Sequence, residues 1–416
     1  MNDAAPVAPP SRQRLAVRLY NRVARGLARK RARFDEEELL EAARRATGLG
    51  DFGDPSFRDG LGALLRAYDE EARLTPFGRT MVRQQLLGIL RARLTLRDAW
   101  QRDPGVLDAP IRRPVFILGL PRTGTTALHH LLAADPGNQV LEYWLAASPG
   151  PRPPREAWKG DRRFKEAARG LRLTYWLDPA LRAIHDLTPE GPEECRHLLG
   201  QSFTDDTFDS NATIPSYTAW YARCDMRASY AWHRDVLRLV QSGGLARRWV
   251  LKYPAHMAHL EVLLATYPDA CIVQTHRDPT KVLPSLCSLV TNWRGIFEDG
   301  VDVPAVARWQ VEMWAERMEH ALAVREDAGE DQFFDLHFHA LREDPIGAVG
   351  RLYAHFGFGL SEEAERRMRA WVAANPEGRH GGHRYTAEQF GLDPAAMTER
   401  FAAYAERFGV EPEASS

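Results

Sequence analysis

Residues 114–126 constrain the fold more than any other part of the chain. They open with the apolar run 115–118, which is too short to cross a membrane and rich in residues that favour strands. Such a run predicts a strand buried on both faces of a parallel sheet. Gly119 and Gly124 then bracket a turn, and the residues that follow predict a helix. A strand, a glycine loop and a helix point backbone N–H groups at one spot, where they can bind an anion.

The spacing of these two glycines matches the nucleotide P-loop, in which Gly-x4-Gly is followed by lysine and then by serine or threonine. Thr125 stands at the position of that lysine. Enzymes that hydrolyse ATP or GTP use the lysine to bind the β- and γ-phosphates. Without this lysine, the loop is poorly suited to bind a nucleoside triphosphate. The nearest cation is Arg122, inside the loop. The loop therefore predicts a ligand with less charge beyond its first phosphate, although the spacing also fits an ordinary turn between a strand and a helix.

The sequence Leu120-Pro-Arg-Thr-Gly-Thr-Thr126 resembles the 5′-phosphosulfate loop of sulfotransferases that use 3′-phosphoadenosine 5′-phosphosulfate (PAPS). This form is similar to that of the tyrosylprotein sulfotransferases and of a large group of bacterial sulfotransferases, whereas cytosolic small-molecule enzymes carry lysine at the position of Arg122. Residues 185–195 also resemble a stretch of the bacterial group. The likeness is strongest over residues 110–290. It implies a P-loop-like α/β fold, with a parallel sheet flanked by helices and an N-terminal helical subdomain.

The composition is that of a globular protein, with 44% hydrophobic and 27% charged residues. The formal net charge of −1 gives no electrostatic reason to expect a nucleic-acid partner. The sequence holds no apolar run long enough for a membrane span, and its start lacks the apolar core of a secretion signal. The four cysteines have no paired metal-ligand spacing. We therefore predict a cytoplasmic protein with reduced thiols and no metal.

The pattern along the chain predicts two regions. Residues 1–110 carry helical periodicity and form the predicted N-terminal helical region. Residues 111–416 form the predicted α/β domain, in which apolar strand-like runs alternate with helical patterns and so imply parallel strands. Within it, residues 150–245 are predicted to be a largely helical insertion on the acceptor side of the site.

Residues 12–34 are basic and contain no acidic residue. Leu15, Leu19, Val23 and Leu27 recur every fourth residue and form one apolar stripe on a helix. We favour a terminal helix that packs this stripe on the body of the protein or on a second subunit, which makes a homo-oligomer possible. A weak contact with a membrane surface is the alternative.

Three cations are predicted to converge on the glycine loop. Lys252 ends a predicted strand, and Arg277 directly follows the next one. The carboxyl ends of parallel strands meet at one edge of the sheet, where α/β proteins bind ligands, so both should lie near Arg122. Three cations around an anion-binding loop indicate a polyanionic ligand, and PAPS, with its 3′-phosphate and 5′-phosphosulfate, fits this description.

The resemblance implies a role for each of these residues. The spacing from Lys252 to Arg277, and from Arg277 to Ser285, is similar to that in tyrosylprotein sulfotransferases. Carried over, Arg277 and Ser285 bind the 3′-phosphate, and Lys252 neutralises the bridging oxygen as the sulfuryl group leaves and PAP is released. The residues implied to bind the 5′-phosphosulfate are Arg122, Thr123, Gly124, Thr125 and Thr126. Arg384 and Tyr385 are implied to contact the 3′-phosphate or the adenine.

The acceptor hydroxyl needs a base. Glu142, about twenty residues after Arg122, resembles the catalytic glutamate of the tyrosylprotein enzymes in position and is the predicted base. The alternatives are His185, Glu193 and Glu194. Aromatic-rich loops suggest an apolar or aromatic alcohol, a glycolipid or a phenol as acceptor, while sugars and peptides remain open.

Two other functions stay open at this point. The first is a P-loop nucleotide kinase, which the missing lysine disfavours. The second is a non-catalytic protein that keeps the fold and binds a nucleotide. The prediction that we adopt is a PAPS-dependent sulfotransferase that transfers a sulfuryl group to an acceptor hydroxyl by in-line displacement.

Overall fold

The computed structural model describes residues 11–27, 33–177, 187–244, 247–376 and 386–413. Its centre is a five-stranded sheet in the order β2-β3-β1-β4-β5, in which every pairing is parallel. The strands are β1 (Val115–Gly119), β2 (Asn138–Val140), β3 (Arg248–Lys252), β4 (Cys271–His276) and β5 (Phe333–His337). The predicted α/β fold, with a parallel sheet flanked by helices, is confirmed.

The helices surround this sheet. In chain order they are α1 (Ser11–Leu27), α2 (Glu36–Thr47), α3 (Phe57–Glu70), α4 (Pro76–Arg102), α5 (Thr125–Ala133), α6 (Tyr143–Ala147), α7 (Arg162–Leu177), α8 (Arg196–Leu199), α9 (Thr207–Asn211), α10 (Pro215–Tyr221), α11 (Arg227–Gln241), α12 (Leu260–Thr266), α13 (Pro279–Phe297), α14 (Val303–Ala328), α15 (Phe338–Glu343), α16 (Pro345–His355), α17 (Glu362–Ala374), α18 (Pro394–Arg400) and α19 (Ala402–Phe408). Short 3₁₀ turns lie between several of them, among them Pro254–His259 directly after β3.

Local signals in the sequence fix the ends of many helices. The Asp35 side chain accepts a hydrogen bond from the backbone N–H of Glu38 and caps α2, which ends at Gly48 in the left-handed region. Thr75 caps α4 in the same way, and Pro76 occupies the first turn. Such local signals account for the bounds of helices in the N-terminal region.

The sheet has a separate hydrophobic cluster on each face. Phe116 and Leu118 of β1 join the larger cluster, whereas Val115 and Ile117 join the smaller one, as the alternation of side chains along a strand requires. Buried residues of α2, α3 and α4 belong to the larger cluster. The N-terminal helices therefore share a core with the sheet, and the predicted boundary at residue 110 stays a prediction.

Strand β2 ends at Val140, so Glu142 lies between this strand and α6, which begins at Tyr143. Helix α14 is capped by Asp302, and Pro304 lies in its first turn. In the described part of the chain, no helix combines the length with the apolar character that crossing a membrane requires.

The apolar stripe of α1 does not pack on the body of the protein. Leu15, Leu19 and Val23 are exposed, whereas Asn21 is buried. The reason is that α1 binds the body through another face. The favoured packing of the stripe on the body is therefore wrong for these three residues; the Leu27 side chain lies outside the described part.

Candidate active site

The glycine loop begins where β1 ends, at the centre of the sheet. Gly119 has a φ of +127°, a conformation that L side chains rarely adopt. A Cβ atom at this position would lie 2.5 Å from the carbonyl oxygen of Thr275 on the neighbouring strand β4. Glycine is therefore required for the chain to leave the sheet this close to β4.

The loop is held in place from inside. The Thr123 side chain is buried and donates a hydrogen bond to the carbonyl oxygen of Leu120 (2.6 Å). Its Oγ1 also lies 2.5 Å from the Thr275 hydroxyl, which ties the loop to the end of β4. Arg122 has a φ of +69° and is exposed. The chain therefore turns sharply at Arg122 while the next residue anchors it.

The first turn of α5 follows the loop directly. Gly124 has a φ of +89° and stands at the N-cap of α5. A Cβ atom here would lie 3.2 Å from the side chains of Phe338 and Leu341, so the loop packs closely against the segment after β5. Thr125 is buried and Thr126 is exposed. The loop thus places the N-terminus of a helix, which attracts anions, at the carboxyl edge of the sheet.

Lys252 brings a buried cation to this loop. It is the last residue of β3, which pairs with β1, and its side chain is only 3% exposed. Its Nζ atom lies 3.4 Å from Oγ1 of Thr126 and forms an ion pair with Glu194. A buried ammonium needs such partners, because its desolvation is costly. The charge is therefore held beside the first turn of α5.

Arg277 brings a second cation to the other side of the loop. Its Nη1 atom donates to the carbonyl oxygen of Arg122 (3.3 Å), and its guanidinium lies 4.0 Å from the centre of the Phe338 ring. Two further nitrogen atoms bind both carboxylate oxygens of Glu413, at 2.7 and 3.0 Å. The backbone N–H of Glu413 donates to Asp278, which fixes this C-terminal residue beside the loop.

Glu142 lies two residues beyond β2 and is buried. Its carboxylate accepts a hydrogen bond from Arg152 (2.9 Å). Burial raises the pKa of Glu142, and the charge of Arg152 opposes this shift. The backbone of Leu141 accepts from the N–H of Glu193 (2.7 Å). The segment that carries Glu142 is therefore hydrogen-bonded to the segment that carries Glu194.

Residues 114–362 match the model of the sulfotransferase family. The match covers more than half of the chain and includes the glycine loop, Lys252 and Arg277. The chain belongs to the sulfotransferase family.

Similar proteins agree with this assignment. The crystal structure of sulfotransferase STF1 from Mycobacterium tuberculosis is 38% identical, covers 89% of this chain and 99% of its own, and has a TM-score of 0.81. That of STF9 from Mycobacterium avium is 31% identical, covers 92% and 100%, and has a TM-score of 0.84. The omega-hydroxy-beta-dihydromenaquinone-9 sulfotransferase Stf3 from Mycobacterium bovis is 27% identical over 322 residues, which are 72% of this chain and 75% of the relative.

The sulfotransferase structure brings the three predicted cations to one edge of the sheet. Arg277 contacts the backbone of Arg122, and Lys252 contacts Thr126. Ser285 lies partly buried in α13, the helix that follows β4. Among the candidate bases, the carboxylate that contacts Lys252 is that of Glu194, whereas Glu142 contacts Arg152. Arg384, Tyr385 and His185 lie outside the described residues.

Three further residues contact the candidate site and were not predicted from the sequence, which are Thr275, Phe338 and Glu413. Thr275 and Phe338 stand at or just beyond the carboxyl ends of β4 and β5, which is a signal for both. Glu413 carries no such signal, because its pairing with Arg277 spans 136 residues. In the ranges that the structure describes, no cluster of three or more metal-ligating side chains is found.

Proposed function

We propose that this sulfotransferase transfers a sulfuryl group from PAPS to an acceptor hydroxyl. The observation that carries the proposal is the arrangement of Arg122, Lys252 and Arg277 around one glycine loop. Helix N-termini and nearby cations together favour a ligand with several negative charges. PAPS carries two anionic groups, the 3′-phosphate and the 5′-phosphosulfate, and cations lie on two sides of the loop.

We assign the phosphosulfate end of the donor to residues 122–126. The backbone of the loop and the N-terminus of α5 bind the 5′-phosphosulfate oxygens, with help from the side chains of Arg122 and Thr126. The 3′-phosphate end of the donor is assigned to Arg277 and Ser285. Arg277 also binds the Glu413 carboxylate, and we expect the 3′-phosphate to compete with that carboxylate for the guanidinium.

The reaction forms one bond and breaks another. The acceptor oxygen attacks sulfur, the bond between sulfur and the bridging phosphate oxygen breaks, and its electron pair leaves with PAP. Lys252 stabilises the negative charge that grows on that oxygen, and its burial makes the interaction stronger than it would be in water. The proton of the acceptor hydroxyl passes to a carboxylate.

Glu142 is the proposed acceptor of that proton. Its burial supports the proposal, because a raised pKa makes a carboxylate a better base near neutral pH. A specific observation favours Glu194 as the second candidate, since its carboxylate forms the ion pair with Lys252. The same ion pair also means that Glu194 stands at the reacting end of the proposed donor.

We propose a lipophilic alcohol as the acceptor. The relative Stf3 is named for an omega-hydroxy menaquinone derivative, which carries a hydroxyl on a lipid. Aromatic rings of the region 143–241, such as Trp144 and Tyr217, are buried, and each packs against a neighbouring ring. Arg384 and Tyr385 remain proposed nucleotide contacts, and a cytoplasmic location remains a prediction.

The proposal is tested by transfer of radiolabelled sulfate. The purified protein is incubated with labelled PAPS and, in separate reactions, with an isoprenoid alcohol, a phenol or a sugar. We expect label on the isoprenoid alcohol together with an equal amount of PAP. The control is Arg351→Ala, which removes an exposed arginine of α16 and should leave transfer unchanged.

Other outcomes distinguish the alternatives. Binding of PAP without transfer to any alcohol would indicate a non-catalytic nucleotide-binding protein. Turnover of ATP that depends on Mg²⁺ would indicate the kinase. Label on the sugar or the phenol alone would support sulfuryl transfer from PAPS but would reject a lipophilic alcohol as the acceptor.

A further inference from the structure

Among the residues that the structure describes, the exposed large apolar side chains are concentrated on two helices. Four of these side chains lie on α1 and two on α7, and these helices lie against each other. The six residues are Leu15, Leu19, Tyr20, Val23, Leu173 and Trp176. Met81, also exposed, lies on α4, which is in contact with α1 as well. Exposed apolar side chains grouped on neighbouring helices indicate a site of interaction.

The orientation of α1 is fixed by polar contacts on its other face. The Asn21 side chain is buried and accepts a hydrogen bond from the backbone N–H of Phe77 (2.8 Å). The Tyr20 hydroxyl lies 3.1 Å from that of Thr80, and the Tyr20 ring packs edge-on against Phe77. These contacts hold α1 on the start of α4 and leave its apolar stripe facing solvent.

The exposure of the stripe is large. Leu15 and Leu19 are each 64% exposed and Val23 is 55% exposed, while on α7 Leu173 is 54% and Trp176 is 65% exposed. We call these five residues the α1–α7 patch. Exposure of this apolar area to water is unfavourable, and a partner that covers the patch would remove the area from water and gain free energy.

Cations adjoin the patch along both helices. The sequence of α1 contains arginines and no acidic residue, and Arg18 and Arg22 are exposed beside the stripe. On α7, Lys165, Arg169 and Arg172 are exposed. The chain as a whole has a formal net charge of −1, so this positive charge is a local feature of the surface.

We propose that the α1–α7 patch binds the surface of a lipid bilayer that contains anionic lipids. Amphipathic helices with basic flanks lie in the plane of the interface, tryptophan prefers that depth, and arginines bind anionic head groups. A second copy of the chain fits less well, because a two-fold contact sets the same patch against itself and brings the arginines of both copies together. The inference goes beyond the proposed function and requires no nucleotide.

The experiment is flotation of the full chain with vesicles. Vesicles of phosphatidylcholine and phosphatidylglycerol in equal amounts are compared with vesicles of pure phosphatidylcholine. We expect the protein to float with the anionic vesicles and to remain behind with the neutral ones. Binding should weaken as salt is added, because salt screens the arginines from the head groups.

Two variants separate the apolar from the electrostatic contribution. The triple replacement Leu15→Ser, Leu19→Ser and Val23→Ser should weaken vesicle binding by at least about tenfold. The double replacement Arg18→Gln and Arg22→Gln should weaken it by about 25-fold, since each arginine near an anionic surface contributes about fivefold. The matched control is Trp309→Ser, which alters an exposed ring on α14 and should leave binding unchanged.

Sedimentation velocity in the same buffers makes the test decisive. The proposal is overturned if the wild-type protein binds neither kind of vesicle. It is also overturned if the triple variant binds vesicles as well as the wild type does. A wild-type dimer that the triple variant converts to a monomer also overturns it, because the patch would then be a subunit interface.

Discussion

The two ends of the proposed donor site are built in different ways. At the phosphosulfate end, Gly119 and Gly124 give the backbone of the loop its shape. The Thr123 side chain anchors this loop, and Lys252 is buried beside it. At the 3′-phosphate end the cation is Arg277, which is partly exposed and paired with a residue close to the C-terminus. Contacts within the protein hold the first end in place, whereas at the second end a phosphate would have to compete with the Glu413 carboxylate for Arg277.

This difference predicts a division of labour between the two ends. Groups that are fixed and desolvated contribute most where charge develops in the transition state. A side chain that must exchange its partner contributes to the affinity for the nucleotide. We therefore expect replacements at the phosphosulfate end to lower kcat and replacements at the 3′-phosphate end to change the Kd for PAP.

Loss of the base should have the largest effect. Glu142→Gln keeps the volume of the side chain and removes the group that accepts the proton, so kcat should fall by about 10²–10⁴-fold. Initial rates of transfer from labelled PAPS measure this loss. If Glu194→Gln lowers kcat by more than Glu142→Gln, the base is Glu194 and belongs to the phosphosulfate end itself. Glu190→Gln, an exposed neighbour, is the control.

The pH profile gives an independent check on Glu142. Because burial raises the pKa of Glu142, it takes up a proton at a higher pH than an ordinary glutamate does. A base is active only when ionised, so kcat/KM should fall as the pH drops through this raised pKa. If this fall of kcat/KM at low pH is absent in Glu142→Gln, the result agrees with Glu142 as the base. An unchanged fall in the variant would contradict the assignment.

Loss of Lys252 should have the next largest effect. Lys252→Met preserves most of the buried stem and removes the charge beside Thr126, so kcat should fall by about 10²–10³-fold. Affinity for PAP should be largely kept, because the charge acts mainly on the leaving oxygen. Transfer rates and calorimetric PAP titration are measured on the same sample. Equal losses in kcat and in PAP affinity would break the proposed division between the two ends.

Replacement of Arg277 should act on binding. Arg277→Ala removes the cation proposed for the 3′-phosphate, and the Kd for PAP should rise by about 10-fold or more, as expected for loss of a charge-assisted hydrogen bond. The kcat at saturating PAPS should change much less. Arg351→Ala, which removes an exposed arginine of α16, is the control. An unchanged Kd would remove Arg277 from the site.

Replacement of Glu413 should have the smallest effect and the opposite sign. Glu413→Gln removes the carboxylate that competes with the phosphate for Arg277, so PAP should bind a few-fold more tightly. Calorimetry measures the change, and Glu411→Gln, at an exposed glutamate two residues away, is the control. Weaker PAP binding in Glu413→Gln would show that Glu413 supports the nucleotide site instead of competing for it.

The same contrast explains how much of the site the sequence could predict. The loop and Lys252 follow from local patterns, because a glycine spacing and a strand end determine where backbone and side chain lie. The partner of Arg277 does not follow from any local pattern, since it comes from the far end of the chain. Likewise, the resemblance that identifies Glu142 as a candidate base does not predict its contact with Arg152.

The outer helices show a similar limit. Capping residues such as Asp35 and Thr75 predict where helices begin, because their hydrogen bonds are local. The apolar period of α1 predicts which residues share a face, but the surroundings of that face depend on tertiary contacts. The buried Asn21 side chain determines the orientation of this helix. The apolar periodicity of the sequence does not predict that Asn21 is buried.

The most direct test of the central claim is a calorimetric titration of the purified protein with PAP, beside ATP and AMP. If the glycine loop, Lys252 and Arg277 form a PAPS site, PAP binds in the low micromolar range and ATP binds weakly. A preference for ATP, or the absence of PAP binding, would contradict the donor assignment.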